Sequence, residues 1–127
     1  MPDTKAIARY MRLQPKKTRL MANLIRGLSV NEAIDQLKYS KKKSAKFIMK
    51  TLLSAIANAE NNDKMSRKDL MIKSILINPG PILRNAKRMR IRARYVTSRI
   101  RRRTSHIIIT VGEKETAIMG DSIGTKG

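Results

Sequence analysis

Two apolar stretches, LMIKSILIN at residues 70–78 and TSHIIITV at residues 104–111, enclose the segment PGPILRNAKRMRIRARYVTSRIRRR at residues 79–103. Both flanking stretches have the composition of β-strands. Within the enclosed segment, RMRIRARY at residues 88–95 alternates basic and apolar residues, which favours an extended chain over a helix. If both strands continue into it, the segment is a β-hairpin that projects on the order of 40 Å at ~3.3 Å per residue. Because so long a two-stranded ribbon is marginally stable alone in water, we expect a partner to hold it.

The charge of this segment predicts what that partner is. The segment contains nine arginines, one lysine and no acidic residue. Guanidinium groups bind phosphate through two parallel hydrogen bonds and stack on bases, so arginine in this density points to nucleic acid, and to folded RNA in particular. A solvated surface loop is the plainer alternative. The predicted phosphate-binding residues here are Arg84, Lys87, Arg88, Arg90, Arg92, Arg94, Arg99, Arg101, Arg102 and Arg103.

The first half of the chain predicts a short strand at residues 7–14 and then two helices. Pro15 suits the first position of a helix, in which Leu20, Met21, Leu24 and Ile25 recur at helical spacing. Gly27 then stands at the C-cap position. A capping box at residues 29–32 starts the second helix, which ends near residue 39.

A third helix has the strongest periodic signal in the chain, and we place its N-cap at Ser40 and its end near Asn62. Its apolar stripe is Ala45, Ile48, Met49, Leu52, Leu53, Ile56 and Ala59. Lysines just after Ser40 oppose the helix dipole, so they indicate either a phosphate at that helix start or a tolerated surface run. The two upstream basic clusters predicted to bind RNA are Arg9, Arg12, Lys16, Lys17 and Arg19, and then Lys41, Lys42 and Lys43.

Composition excludes several classes of protein. The chain has 127 residues, 29 Lys and Arg against 9 Asp and Glu, a net charge of +20, and no cysteine. Thiol catalysis, disulfides and cysteine-based zinc sites are therefore excluded, and one histidine leaves little basis for a metal site. No apolar run approaches the ~20 residues of a membrane span. No catalytic constellation is visible, so we expect no enzyme, no cofactor and no metal.

Three motifs, in this order, resemble the large-subunit ribosomal protein twenty-two family. They are PKKTRL and NLIRG within residues 15–27, LSAIANAENN at residues 53–62, and RIRRRTSHI at residues 99–107. The matches extend from about residue 8 to residue 111. The segment RMRIRAR at residues 88–94 departs from the family, because it lacks the proline and glycine expected there.

The resemblance implies a compact domain on the surface of the large subunit near the peptide exit. It also implies a hairpin that reaches into the large-subunit rRNA and helps fold it, with arms at residues 80–87 and 96–103. The expected partners are rRNA, neighbouring ribosomal proteins and the nascent peptide, in a cytoplasmic ribosome, with an organellar one left open. The tip expected to line the exit tunnel is Arg88, Met89, Arg90, Ile91, Arg92, Ala93 and Arg94.

Together these observations predict an α+β fold, with three helices packed on a small antiparallel β-sheet and a long, extended, Arg-rich β-hairpin. We expect one domain at residues 1–112, with residues 79–103 protruding, and a flexible tail at residues 113–127. We expect neither a homo-oligomer nor a membrane partner. The alternative function is an architectural DNA-binding protein that lays a basic β-ribbon arm into a groove.

Overall fold

The computed structural model describes residues 3–83 and 88–114. In these ranges the helices are α1 (Pro15–Ile25), α2 (Val30–Tyr39) and α3 (Lys43–Asn62). The strands are β1 (Thr4–Met11), β2 (Leu70–Ile82), β3 (Arg88–Ile91), β4 (Thr97–Ile100) and β5 (Arg103–Glu113). The predicted α+β fold is confirmed, including the three helices and both strands that flank the arginine-rich segment.

The main sheet has the order β1-β5-β2 and is antiparallel throughout. The triple isoleucine of β5 puts an apolar side chain on each face of this central strand. Ile107 and Ile109 are fully buried under the helices, while Ile108 lies on the opposite face, paired with Ile7 of β1 and Leu76 of β2.

The core is aliphatic and lies between one face of the sheet and the three helices. Its fully buried members include Ile72, Ile75, Ile109, Ile48 and Leu52. Burying one such side chain stabilises the fold by roughly 1.5–3 kcal/mol. This core therefore fixes the helices against the sheet from which the hairpin extends.

The predicted apolar stripe of α1 is partly wrong. Leu20 and Leu24 are 54% and 59% exposed, and the buried face instead includes Thr18 and Ala22. Thr18 can be buried because its hydroxyl donates to the Gln14 carbonyl at 2.8 Å. Leu53, placed in the stripe of α3, is likewise 44% exposed.

Helix ends follow the predicted signals with one exception. Gly27 has a φ of +80°, as a C-cap glycine requires, and Ser29 Oγ accepts the Glu32 N–H at 3.4 Å. The prediction that Ser40 caps α3 is wrong. Ser40 ends α2, where its N–H donates to the Leu37 carbonyl, and α3 begins only at Lys43 with Lys42 as its N-cap residue.

β3 and β4 form a second, two-stranded antiparallel ribbon beyond the sheet, pairing Arg88 with Ile100 and Ile91 with Thr97. The paired arms therefore extend further than expected, and the chain reverses at residues 92–96 rather than within residues 88–94. The predicted arm residues Arg84 and Lys87 lie outside the described residues, as does the predicted tail from residue 115.

No helix in the described ranges is both long and apolar enough to cross a bilayer. Residues 3–83 and 88–114 also bring together no group of three His, Asp or Glu side chains that could hold a metal ion.

Candidate nucleic-acid interface

A concavity of about 1240 Å³ opens where the starts of α1 and α3 meet the base of the β3–β4 ribbon. Its apolar and uncharged wall includes Leu13, Gln14, Leu20, Leu83 and Ile100. None of the described residues that line it is acidic. We call it the basic concavity, after the residues Arg12, Lys17, Lys42, Lys43, Arg90, Arg101, Arg102 and Arg103.

Helix starts add to the positive potential of the basic concavity. Neither Gln14, the N-cap residue of α1, nor Lys42, the N-cap residue of α3, forms a side-chain capping hydrogen bond. No acidic residue occupies the first turn of either helix. A helix start presents unpaired N–H groups and the positive end of the helix dipole, so both ends favour an anion in the concavity. Oxygen-rich phosphates match this donor set.

The ribbon presents two different faces. Arg90 and Ile100 line the basic concavity, and the register puts them on one face. Met89 and Arg99 pair on the opposite face, where Met89 is 51% exposed. The ribbon can therefore contact a polyanion on both sides, as an arm surrounded by folded RNA would.

The β2–β5 ladder and the β3–β4 ladder of the hairpin differ in register. Five residues separate Ile82 from Arg88 on the outgoing side, whereas two separate Ile100 from Arg103 on the return. The arms are thus unequal, which the expectation of simple strand continuation did not include.

The structure brings together basic residues from all three predicted clusters, which are far apart in sequence. Arg12 and Lys17 come from the first cluster, Lys42 and Lys43 from the second, and the rest from the hairpin. Arg88 opens β3. Other predicted residues lie exposed outside the concavity's lining, namely Arg9, Lys16, Arg19, Lys41, Arg92, Arg94 and Arg99.

Arg19 has a contact that the sequence reasoning missed. Its Nη2 and Nε donate to the carbonyl of Ile77 at 3.0 and 3.3 Å. Arg26, two helical turns later, donates to the carbonyl of Ile75 at 2.9 Å. The seven-residue spacing of these arginines is the signal that could have indicated a shared helix face.

Acidic residues gather at the far end of the sheet. Asp3 forms an ion pair with Lys73 at 2.8 Å, Asp63 accepts a hydrogen bond from Thr4, and Glu113 pairs with Leu70. The hairpin leaves the opposite end, at Ile82 and Arg103. Basic residues occur at the acidic end too, Lys73 and Lys114 among them, so what distinguishes the basic concavity is that its described lining contains no acid.

Several known proteins are similar in sequence to this chain. The family model for ribosomal protein L22p/L17e matches residues 6–112. The large ribosomal subunit protein uL22 of Fusobacterium nucleatum is 46% identical over 113 residues, which cover 89% of this chain and 99% of the relative. The uL22 protein of Thermus thermophilus is 46% identical over 112 residues, covering 88% and 96%, and that of Chloroflexus aggregans is 44% identical over the same shares. The resemblance found in the sequence motifs is thereby confirmed, and the chain belongs to the ribosomal protein L22p/L17e family.

Proposed function

We propose that this chain binds large-subunit rRNA through the basic concavity and the hairpin, and helps that RNA to fold. We further propose that the hairpin reaches the wall of the peptide exit tunnel, beside the nascent peptide, while the helical domain lies near the tunnel exit. The observation that carries the rRNA proposal is the convergence of three separate basic clusters on one concavity whose described lining contains no acid.

Family membership gives the coarser function directly. The chain is a structural protein of the large ribosomal subunit in the cytoplasm, rather than an enzyme. Neighbouring ribosomal proteins and rRNA are therefore its partners. The alternative of an architectural DNA-binding protein is not supported, since the whole domain matches a ribosomal family.

Folded RNA suits the geometry for a physical reason. The concavity places cations on a curved surface between helix starts and a ribbon, and so receives phosphates from several directions. Folded RNA presents phosphates from several directions. A DNA groove would instead be contacted by the β-ribbon arm alone.

The proposal is tested by the salt dependence of binding to a large-subunit rRNA transcript. Removing two concavity cations in Lys42→Ala/Arg102→Ala should lower the slope of log affinity against log salt by about 1.4, at ~0.7 per phosphate contact. The control Lys38→Ala/Lys68→Ala removes the same charge from exposed sites outside the concavity and should leave the slope near that of the wild type. Equal slopes for the two variants would refute the assignment of rRNA binding to the concavity.

A further inference from the structure

The turn that joins β3 to β4 has an unusual backbone for its residues. Arg94 and Tyr95 both have a φ of +60°, and the Val96 N–H donates to the Ala93 carbonyl at 3.4 Å. The ladder pairs Ile91 with Thr97, and the Arg92 N–H donates to the Val96 carbonyl at 2.7 Å, so Ala93, Arg94 and Tyr95 form a three-residue loop whose last two residues are both left-handed. Left-handed positions in hairpin loops are usually occupied by glycine or asparagine, because other side chains crowd the backbone there.

The two residues at this turn are therefore costly to the hairpin itself. Glycine would relieve the steric strain at both positions. Strained backbone of this kind is concentrated at functional sites, where the side chain supplies something that glycine lacks. The strained turn therefore indicates a function for the side chains of Arg94 and Tyr95.

Tyr95 presents its ring to solvent. It is 99% exposed, against 66% for Tyr10, whose ring packs at 88° against His106. Within residues 3–83 and 88–114, no aromatic or hydrogen-bonding partner of the Tyr95 side chain is found. An entirely exposed aromatic ring is available for a flat partner outside the chain.

The surroundings of Tyr95 select the chemistry of that partner. Arg90, Arg92 and Arg94 precede it at alternate positions, and no acidic residue occurs in residues 79–103. Arginines that neutralise phosphates, with an exposed aromatic ring beside them, form the usual platform for unstacked bases of single-stranded RNA. These cations favour RNA over a peptide, because a peptide has no phosphate at each residue for them to neutralise.

We propose that Tyr95 stacks on an unpaired nucleobase of large-subunit rRNA, at the end of the ribbon. This inference rests on the proposed rRNA binding, and it adds to the interface a residue outside the predicted tip at residues 88–94. The ring supplies a contact that carries no charge, whereas the neighbouring arginines supply the phosphate contacts.

Three full-length variants test the proposal, with a large-subunit rRNA transcript as the probe. Tyr95→Gly removes the ring but suits the left-handed backbone. If Tyr95 had only a structural role, this substitution would leave rRNA affinity unchanged. We expect Tyr95→Gly to bind rRNA on the order of tenfold more weakly, with an unchanged salt slope, since stacking releases no counterions. Tyr95→Phe should bind like the wild type. Tyr39→Ala removes another tyrosine, 82% exposed on α2, and should have no effect.

The outcomes separate this inference from the proposed function. If the wild type itself fails to bind rRNA, both fail. If the wild type binds and Tyr95→Gly binds equally well, the stacking role is overturned while rRNA binding stands. Loss of affinity in Tyr95→Phe as large as in Tyr95→Gly would trace the contact to the hydroxyl and also overturn stacking. If Tyr95→Gly binds rRNA like the wild type, and a crosslinker at position 95 attaches to the nascent peptide, Tyr95 contacts the peptide and not a base.

Discussion

At the scale of single residues, Arg19 and Arg26 show that a basic side chain in this protein can serve the fold. β2 is an edge strand of the main sheet, so its outward carbonyls have no strand to pair with. The guanidinium groups of α1 donate to the carbonyls of Ile77 and Ile75 and so occupy part of that edge. Charge alone therefore does not identify an RNA-binding residue.

Arg26→Ala is expected to lower the free energy of unfolding by about 1 kcal/mol, because the Ile75 carbonyl loses its donor. It should leave the salt slope of rRNA binding unchanged, since Arg26 does not line the basic concavity. Urea denaturation and the rRNA-binding assay measure the two effects.

Arg19→Ala should behave in the same way, through the Ile77 carbonyl. A fall in its salt slope, with stability unchanged, would instead show that Arg19 contacts phosphate, as the sequence analysis predicted.

At the scale of elements, the point where the hairpin leaves the sheet depends on Gly80. A Cβ at this position would lie 2.5 Å from Thr104 Oγ1 and 3.3 Å from the His106 ring. Thr104 is buried and donates its hydroxyl to the Pro81 carbonyl, so it cannot easily move away. The register of β2 against β5 also shifts between Pro79 and Ile82.

Gly80→Ala is therefore expected to destabilise the protein by about 1–3 kcal/mol, as overpacking of a close contact does. Urea denaturation measures the free energy of unfolding of Gly80→Ala, of Thr104→Ala and of the double variant, which together form a double-mutant cycle. If the clash with Thr104 is the cause, the double variant should lose less stability than the two single losses combined. Strict additivity would rule that cause out.

The elements differ in how far their sequences predict them. α1, α2, β2 and β5 follow from local composition and from Gly27 and Ser29, because these signals act within a few residues. The first strand, expected at residues 7–14, lies instead at Thr4–Met11. The start of α3 did not follow, because Ser40 satisfies the end of the preceding helix instead. The turn at Arg94 and Tyr95 could not be predicted either, since its residues contradict the usual turn chemistry.

At the scale of the whole molecule, none of the acidic residues in the described ranges lines the basic concavity. The hairpin and the basic concavity lie at one end of the sheet, and Asp3, Asp63 and Glu113 lie at the other. The basic clusters themselves are visible in the sequence, because each is a local run. Their convergence on one concavity depends on tertiary packing, which brings Arg12 beside Lys42 and Arg102, and local patterns cannot show that.

The central claim is that hairpin and concavity together neutralise rRNA phosphates, and one measurement tests it most directly. It compares the salt dependence of rRNA binding for the wild type and for a variant in which residues 83–102 are replaced by Asn-Gly. The replacement removes nine cations and closes the Ile82–Arg103 pair with a two-residue turn. Because the buried core lies outside the replaced segment, cooperative unfolding should persist and serves as the control.

We predict that the log–log slope falls by several units, up to about 6 at ~0.7 per contact. An unchanged slope in the folded variant would contradict the account, because the hairpin's arginines would then not contact RNA.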